Sequence, residues 1–179
     1  MRSFAILFFS AAVPLYAAAA ADAQPALVPI PQSDLRRSAQ EQIPQAFIGA
    51  WKLDPAASHY QTAAPKMQYR IFDYTKDGKF LCDYITLSAK GTQTAGNWAV
   101  PLDGTPGNEY TRPYGSTPFA VVTLKKQDET TLYLTAARFG KMFEAGTFTV
   151  SPDGNMLTFR YQQGAKQDVA VYRRWDMLN

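Results

Sequence analysis

The chain has 179 residues, of which 46% are hydrophobic and 13% aromatic, and its formal net charge is +3. This charge is too small, and basic pairs such as Lys125–Lys126 and Arg173–Arg174 are too short, to form a track for a polyanion, so we expect no nucleic-acid partner. A single cysteine, Cys82, excludes an intramolecular disulfide, so stability must come from an aromatic-rich core. We expect Cys82 to be buried, as free cysteines usually are; a reactive thiol or an intermolecular bridge is the alternative.

The N-terminus has the features of a secretory signal peptide. Arg2 precedes an apolar run that ends in small residues, and Ala21-Asp22-Ala23 fits the small-x-small rule of signal peptidase. We therefore expect residues 1–23 to be removed before Gln24, leaving a periplasmic or secreted protein that is not an integral membrane protein. An uncleaved anchor is the alternative, but the apolar run is short and contains Pro14, whereas a spanning helix needs about 20 apolar residues.

Residues 24–46 are rich in Pro, Gln, Ala and Ser, and four prolines interrupt any regular element there. A short helix over residues 33–42, capped by Ser33 or Asp34, is the one element this segment favours. We interpret residues 24–46 as an N-terminal arm or linker and residues 47–179 as a single domain.

From Phe47 onward, short β-rich runs alternate with turn signals, among them Asp-Gly at 77–78 and 153–154. The predicted strands cover residues 47–53, 67–75, 80–87, 93–100, 119–126, 131–139, 141–150, 156–162 and 168–175. Short antiparallel strands in this number predict an all-β fold, namely a single up-and-down β-barrel of about 8–10 strands.

The turn after Val150 sets one strand register. A four-residue loop over residues 152–155 places apolar residues of both flanking strands on one face, as a buried sheet face requires. The predicted pairs are Val150 with Leu157, Phe148 with Phe159, and Gly146 with Tyr161. The glycine then leaves room for the ring of Tyr161.

The same loop length over residues 76–79 pairs Thr75 with Phe80. One face of this hairpin then carries Arg70, Phe72, Tyr74, Leu81, Asp83, Ile85 and Leu87, and the other carries Met67, Tyr69, Ile71, Phe80, Cys82 and Tyr84. Both faces are largely apolar, so either the arm or a second subunit covers the outside, which allows a homodimer, or the hairpin lines a cavity. Arg70 and Asp83 become diagonal neighbours, which either orient a polar ligand group inside the barrel or form a surface pair.

Three sequence elements resemble those of small bacterial exported proteins of the lipocalin-like (calycin-type) family. They are Gly49-Ala-Trp51-Lys-Leu-Asp54 with the following Ser58-His-Tyr60, the hairpin Ser151-Pro-Asp-Gly-Asn-Met-Leu-Thr158, and the closing Val171-Tyr-Arg-Arg174. The likeness covers residues 47 to 175 and implies a lipocalin-like barrel. The T-D-Y loop element of lipocalins is absent, and the resemblance speaks for a fold more than for an activity.

In lipocalins, a tryptophan of the first strand plugs the closed end of the barrel and an arginine of the last strand packs across it. The resemblance implies that Trp51, with Arg174 or Arg173, fills these places. A guanidinium over an indole face gains cation–π attraction, so this pair has a structural role rather than a ligand-binding one.

We find no catalytic constellation in the sequence. His59 is the only histidine, and no carboxylate near it in sequence marks it as an oriented base. One His and one Cys are too few for a zinc site built by the protein, so we expect no metal and no cofactor. Asp73, Asp83, Glu109 and Glu144 show no spacing that marks an acid/base pair.

Residues 102–118 form a turn-rich segment that contains Tyr110, Arg112 and Tyr114. We expect a long loop at the barrel mouth, where such a Tyr/Arg cluster suits an amphipathic or anionic ligand. An ordinary connecting loop is the alternative.

These features predict an exported barrel that binds a small, partly apolar or amphipathic molecule. The predicted ligand contacts are Arg70, Phe72, Tyr74, Tyr110, Arg112, Tyr114, Phe148, Phe159 and Tyr161. Two other hypotheses stay open. One is a filled barrel that acts through protein contacts or as an envelope structural module, and the other is an isomerase or cyclase that works by cavity shape.

Overall fold

The computed structural model describes residues 42–112 and 114–176. The predicted signal peptide, and the predicted arm and helix up to residue 41, lie outside the described residues. A 3-10 helix, Gln45–Phe47, precedes the strands. The strands are β1 (Gly49–Leu53), β2 (Met67–Tyr74), β3 (Phe80–Leu87), β4 (Gln93–Val100), β5 (Gly107–Thr111), β6 (Ala120–Asp128), β7 (Thr131–Arg138), β8 (Lys141–Val150), β9 (Met156–Gln163) and β10 (Lys166–Arg174). No helix in the described part of the chain is long and apolar enough to cross a bilayer.

The strands form one closed antiparallel barrel in which each pairs with its neighbours along the chain. The first strand closes the barrel, because Trp51 of β1 faces Arg70 of β2 on one side and Arg174 of β10 on the other. The predicted all-β, up-and-down, lipocalin-like barrel is confirmed. Closure leaves no unpaired strand edge in the sheet.

Strand β5 corrects the prediction of one long loop over residues 102–118. Gly107–Thr111 pairs with β4 on one side and β6 on the other. Its first residues, Gly107, Asn108 and Glu109, have low strand propensity, which hid the element in the sequence. The pairing with β4 requires Gly107, because a Cβ there would lie 2.7 Å from the Val100 side chain.

The predicted register of the β8–β9 hairpin is confirmed. Val150 pairs with Leu157, Phe148 with Phe159, and Gly146 with Tyr161. A Cβ at Gly146 would lie 2.5 Å from both the Arg160 carbonyl oxygen and Tyr161 Cβ, so only glycine fits beside that ring.

The predicted register of the β2–β3 hairpin is wrong by one residue. Tyr74, not Thr75, faces Phe80. The turn uses three residues, 76–78: Gly78 takes the left-handed φ of 80° and donates to the Thr75 carbonyl at 3.0 Å. A three-residue loop with glycine in this position is a common hairpin connection.

This shift moves every β3 side chain to the opposite face. Phe80, Cys82 and Tyr84 point inward with the β2 residues Arg70, Phe72 and Tyr74. Leu81, Asp83, Ile85 and Leu87 point outward, so Arg70 and Asp83 lie on opposite faces and are not the neighbours that we predicted. Cys82 is fully buried, as expected.

The barrel has a closed end and a mouth. The turns at residues 75–79, 101–106, 129–130 and 151–155 surround the closed end. The segments 54–66, 88–92, 114–119, 139–140 and 164–165 surround the mouth. Residues 42–47 dock on the closed end, where Ile43 and Phe47 are buried. Phe47 makes edge contacts with Phe72 and Phe80, at ring-centre distances of 6.3 and 6.1 Å.

Arg174, rather than Arg173, covers Trp51. Its guanidinium carbon lies 4.3 Å from the centre of the Trp51 ring, and the Trp51 indole donates to the Phe47 carbonyl at 2.8 Å. Arg174 also donates to the carbonyls of Ala46, Ile48 and Gly154, each at 2.8 Å. Arg173 points to the surface and pairs with Asp54 at 3.1 Å.

Candidate ligand cavity

The barrel interior is apolar toward the closed end and polar toward the mouth. The closed half is filled by buried side chains, among them Phe72, Phe80, Trp98, Val100, Leu124, Phe148 and Leu157. The half nearer the mouth contains the inward-facing Arg70, Tyr84, Glu109, Glu144 and Asp168. Charged side chains are rare inside a protein unless they are paired or serve a function. The half of the interior nearer the mouth is therefore the candidate ligand site.

Arg70 lies near the middle of the barrel and has few polar partners. Its Nε donates to Tyr172 Oη at 3.2 Å, and its Nη1 approaches the Cys82 sulfur at 3.7 Å. Aromatic rings surround the guanidinium, including those of Phe148 at 5.4 Å and Phe159 at 5.7 Å.

None of the ion pairs among residues 42–112 and 114–176 includes Arg70. A guanidinium has five N–H donors, so most of its hydrogen-bonding capacity is not used by these protein contacts. A buried cation with unused donors can donate hydrogen bonds to an acceptor of a ligand or to a bound water.

Tyr84 and Glu109 form a second polar element of the interior. Tyr84 is on β3 and Glu109 is on β5, with β4 between them. Tyr84 Oη donates to Glu109 Oε1 at 2.5 Å across the inner face of β4. Burial raises the pKa of Glu109, and the bond from Tyr84 and the charge of Arg70 offset part of this rise. Burial, reinforced by Glu109, also raises the pKa of Tyr84, so the phenol is a donor at neutral pH.

Gly96 of β4 makes this contact possible. A Cβ at Gly96 would lie 2.5 Å from Tyr84 Oη and 2.7 Å from the Tyr110 carbonyl oxygen. The absent side chain is what allows the Tyr84 ring to cross β4 and reach β5.

Glu144 reaches the same region because of a bulge in β8. Ala136 pairs with Glu144 and Ala137 with Met142, which leaves Phe143 as an extra residue in the strand. Bulges re-aim side chains, and this one lets Phe143 and Glu144 both line the interior. Glu144 accepts a hydrogen bond from Gln163 Nε2 at 2.8 Å.

Between these groups lies a cavity of about 150 Å³. Its lining is polar on one side and apolar on the other. The polar residues are Arg70, Tyr84, Glu109 and Glu144, and the apolar ones are Trp98, Phe119, Val122, Leu134, Ala136 and Phe143. Pockets for drug-sized ligands measure roughly 300–1,000 Å³, whereas a cavity of about 150 Å³ holds a molecule the size of benzene. The size of the cavity therefore favours a small ligand.

The segment of residues 54–66 covers part of the mouth, and Asp168 of β10 anchors it. Asp168 accepts hydrogen bonds from the backbone N–H groups of Gln61 (2.6 Å) and Thr62 (3.1 Å) and from the Thr62 hydroxyl (2.5 Å). Burial acts to raise the pKa of Asp168, but these hydrogen bonds outweigh it and the pKa lies below its usual value. The anchored segment packs Tyr60 against the core.

Of the predicted ligand contacts inside the barrel, Arg70 lines the cavity. Phe72 and Phe148 belong to the packed core, and Tyr74 packs against that core near the closed end. Phe148, Phe159 and Tyr161 form a continuous ring stack, with centre distances of 3.9 and 4.6 Å. These five aromatic residues face inward, but they do not line the cavity that the described residues form.

The three predicted mouth residues are not brought together inside. Tyr110 lies on the outer face of β5, and Arg112 is exposed just beyond it. Tyr110 and Arg112 instead line a groove of about 570 Å³ on the outside of β2–β5, with Tyr69, Ile71, Asp83 and Ile85. Tyr114 lies in the loop at the mouth and is 46% exposed.

Five residues of this site are not predicted by the sequence pattern: Tyr84, Glu109, Glu144, Trp98 and Gly96. The predicted β2–β3 register, wrong by one residue, places Tyr84 on the other face, and Glu109 falls in the predicted loop of residues 102–118. One signal in the sequence could have identified Tyr84. Cys82 and Tyr84 alternate on one face of a strand, and a glycine in the next strand leaves room for a large side chain.

His59 is exposed and lies on the outside, where its backbone forms a bridge with Val169. It does not line the cavity. Within the described part of the chain, no group of three or more His, Cys, Asp or Glu residues is placed to hold a metal ion.

The barrel is similar in fold to solved calycin-type barrels. The fluorescent protein UnaG matches with a TM-score of 0.53 and 16% identity, over 73% of this chain and 98% of that one. Echinococcus granulosus fatty-acid-binding protein 1 matches with a TM-score of 0.50 and 12% identity, over 74% and 99% of the two chains. At such identities the likeness shows the fold alone. No protein-family model and no curated protein matches the sequence.

Proposed function

We propose that the barrel binds a small, partly apolar molecule of about six to ten non-hydrogen atoms in the cavity beside Arg70. The observation that carries this proposal is a buried guanidinium that makes no ion-pair contact among the described residues, at the edge of a cavity of about 150 Å³ that Glu109 and Glu144 also line. Holding an arginine there opposes folding, since a buried charge needs compensation. A ligand that accepts hydrogen bonds from Arg70 supplies that compensation.

The lining defines the chemistry of the ligand. Arg70 offers donors, and Glu109 and Glu144 offer acceptors, whereas Trp98, Val122 and Leu134 offer an apolar wall. A ring compound that has a carbonyl or carboxyl group next to a hydroxyl or amino group satisfies all three. Burial of the ring then supplies affinity and the polar groups set its orientation.

A long acyl chain does not suit this cavity. One fold neighbour is named a fatty-acid-binding protein, and Arg70 would accept a carboxylate head group. However, the space in which an acyl chain would lie is occupied by Trp51, Phe72, Phe148 and the other core residues. The proposed ligand is therefore a compact molecule.

A fragment screen tests the proposal. Small aromatic acids, amides and phenols are titrated while tryptophan fluorescence and the thermal unfolding midpoint are recorded. Because Trp98 lines the cavity, Trp98→Phe should abolish the fluorescence response, whereas Trp175→Phe, which alters a residue that packs on Tyr69, should keep it.

Two neighbouring alanines provide a steric control. Ala136 lines the cavity and is buried, whereas Ala137 is on the other face of β7 and pairs with Val121 and Met142. Ala136→Leu should fill the cavity and remove binding, and Ala137→Leu should leave it intact. If no fragment binds, or if both variants bind equally, the cavity is not a ligand site.

Self-association through the outer groove is a second candidate function. The groove exposes Ile85 and Tyr110 and holds a carboxylate, Asp83, and a guanidinium, Arg112. A twofold interface must be self-complementary, and this combination allows Asp83 of one subunit to meet Arg112 of the other. Sedimentation velocity should then show a dimer that Ile85→Lys dissociates and Val121→Lys does not; both residues are 41% exposed.

We also propose that the protein is exported to the periplasm or beyond, on the strength of the N-terminal signal-peptide pattern. The intact mass of the protein from an exporting host should correspond to a chain that starts at Gln24. A mass that includes residues 1–23 would contradict export by cleavage at this position.

A further inference from the structure

The hairpin between β7 and β8 exposes an aromatic residue in an unfavourable backbone conformation. Arg138 pairs with Lys141, so Phe139 and Gly140 form a two-residue turn, with φ values of 51° and 72°. Turns with two such positive angles favour Asn-Gly, because bulky side chains rarely adopt them. Among the described residues, Phe139 is the one non-glycine with positive φ, and its side chain is 90% exposed.

More apolar side chains surround this turn. Met142 is 66% exposed and Phe143 36% exposed on β8, and Tyr114 is 46% exposed in the neighbouring loop. The ring of Phe119 connects the loop to the hairpin, with centre distances of 5.3 Å to Tyr114 and 6.4 Å to Phe143. We call the five residues Tyr114, Phe119, Phe139, Met142 and Phe143 the mouth cluster.

Arg138 supports the mouth cluster from below. Its guanidinium carbon lies 4.2 Å from the centre of the Phe119 ring and 5.1 Å from that of Tyr114. Three of the five side chains, Tyr114, Phe119 and Phe143, therefore form a packed group of rings at the rim. Phe139 has both a strained backbone φ and an exposed aromatic ring. Neither feature stabilises the fold, so together they point to a role in binding.

The exposed charges of the mouth turns are mainly basic, whereas the acids Glu144 and Asp168 of the neighbouring strands face the barrel interior. Five exposed basic residues stand at or beside the mouth turns: Lys66, Lys90, Arg112, Lys141 and Lys166. In the described residues of these turns the one acid is Asp54, which is paired with Arg173. The turns of the closed end, in contrast, contain four acids, Asp77, Asp103, Glu129 and Asp153, and two lysines, Lys76 and Lys79; Asp77 is paired with Lys79 and Glu129 with Lys126.

We propose that the barrel docks mouth-first on an anionic lipid surface, into which the mouth cluster inserts. Exposed Phe and Met at the tip of a hairpin, within a ring of lysines, match the two components of interfacial binding: apolar insertion and attraction to anionic head groups. The turns of the closed end, with four acids and two lysines, favour this orientation, since an anionic surface repels their net negative charge. Phe119 and Phe143 of the mouth cluster also line the cavity, whereas Phe139 and Met142 do not, so a change at Phe139 tests docking separately from the proposed ligand.

Vesicle sedimentation tests the proposal. The purified protein should bind vesicles of phosphatidylglycerol mixed with phosphatidylcholine and should bind pure phosphatidylcholine much more weakly. Raising the salt concentration should weaken binding, because the Debye length falls from about 10 Å at 0.1 M to about 3 Å at 1 M.

Phe139→Asn separates lipid binding from folding. Asparagine suits the left-handed turn better than phenylalanine, so the thermal unfolding midpoint of this variant should be unchanged or higher. Its binding to the mixed vesicles should fall by about tenfold or more, since the most exposed apolar side chain is lost. Unchanged binding in this variant would overturn the proposal.

A charge-reversal pair tests the orientation. Lys141→Glu/Lys166→Glu changes the mouth rim, and Lys76→Glu/Lys125→Glu makes the same change of net charge toward the closed end. All four of these lysines are exposed. The first pair should reduce vesicle binding by on the order of tenfold to a hundredfold, and the second by much less. Equal losses, or equal binding of the wild type to neutral vesicles, would contradict docking through the mouth.

Discussion

Arg174 of the last strand stacks on Trp51 of the first, with 4.3 Å between the guanidinium carbon and the ring centre. The same guanidinium donates to three carbonyls that belong to the segment before β1 and to the β8–β9 turn. One side chain thus connects the two strands that close the barrel with the segments that seal its end.

Arg174→Ala should lower the free energy of unfolding by about 2–3 kcal/mol, because charged hydrogen bonds and the indole contact are lost together. Arg173→Ala is the matched control, since the neighbouring arginine makes one exposed ion pair and should change stability by less than about 1 kcal/mol. Urea denaturation of both variants measures the difference. Similar losses of stability for the two arginines would show that the contacts of Arg174 with Trp51 and the three carbonyls add no stability.

Gly146→Ala tests the β8–β9 register. The new Cβ would be forced against the Arg160 carbonyl and Tyr161, and overpacking of this kind costs about 1–3 kcal/mol. Thr149→Ala, on the exposed face of the same strand, should change stability by about 0.5 kcal/mol or less. Thermal unfolding followed by circular dichroism compares them, and a harmless Gly146→Ala would mean that the ring does not lie against this glycine.

The two Asp-Gly hairpins show what the sequence can and cannot predict. Residues 151–156 and 75–80 share a hydroxyl residue, an Asp-Gly pair and an apolar sixth residue, yet the first closes a four-residue loop and the second a three-residue loop. In the first turn the Ser151 hydroxyl accepts the N–H of Met156, whereas in the second the Thr75 hydroxyl accepts the N–H of Lys79. Hydrogen bonds of this kind decide the register and are not visible in residue spacing.

The consequence for the site is direct. The strand pattern and the resemblance were enough to predict the barrel and to place Trp51 and an arginine as a pair. The cavity depends on the β2–β3 register, the short strand β5 and the bulge at Phe143. The register and the bulge each differ from a regular pattern by one residue, and β5 is a strand of weak propensity. The polar half of the interior was therefore the part that the sequence did not predict, apart from Arg70.

Asp168 should make the cover of the mouth sensitive to acid. Its folded pKa lies below the ordinary value of 3.8, so its contribution to stability is complete above that value and is lost as the pH falls through the folded pKa. Asp168→Asn should lower stability at neutral pH and flatten the acid limb of the stability curve. Hydrogen exchange of the Gln61 and Thr62 amides measures the local effect, and unchanged protection in the variant would rule out Asp168 as the anchor.

Glu109 should have the opposite dependence on pH. Its folded pKa lies above the ordinary value of 4.5, so the folded state retains a proton that the unfolded chain has released, and stability falls as the pH rises from 4.5 through the folded pKa. Glu109→Gln keeps an acceptor for Tyr84 and removes this loss, so the variant should gain stability over the wild type across that range. Urea midpoints from pH 4 to pH 8 provide the test; parallel curves would show that Glu109 is not a buried acid.

The proposed function gives Arg70 the role of holding a small ligand inside the barrel. Native mass spectrometry of wild-type protein and Arg70→Met, each purified without denaturation from the cells that make it, tests this most directly, with urea denaturation of the same samples. Arg70→Met replaces the buried charge by an apolar side chain of similar length, and the urea midpoint shows whether the variant is folded. We expect a bound small molecule on the wild type and none on the variant. A wild type that is always empty, or a variant that carries the same molecule, would contradict it.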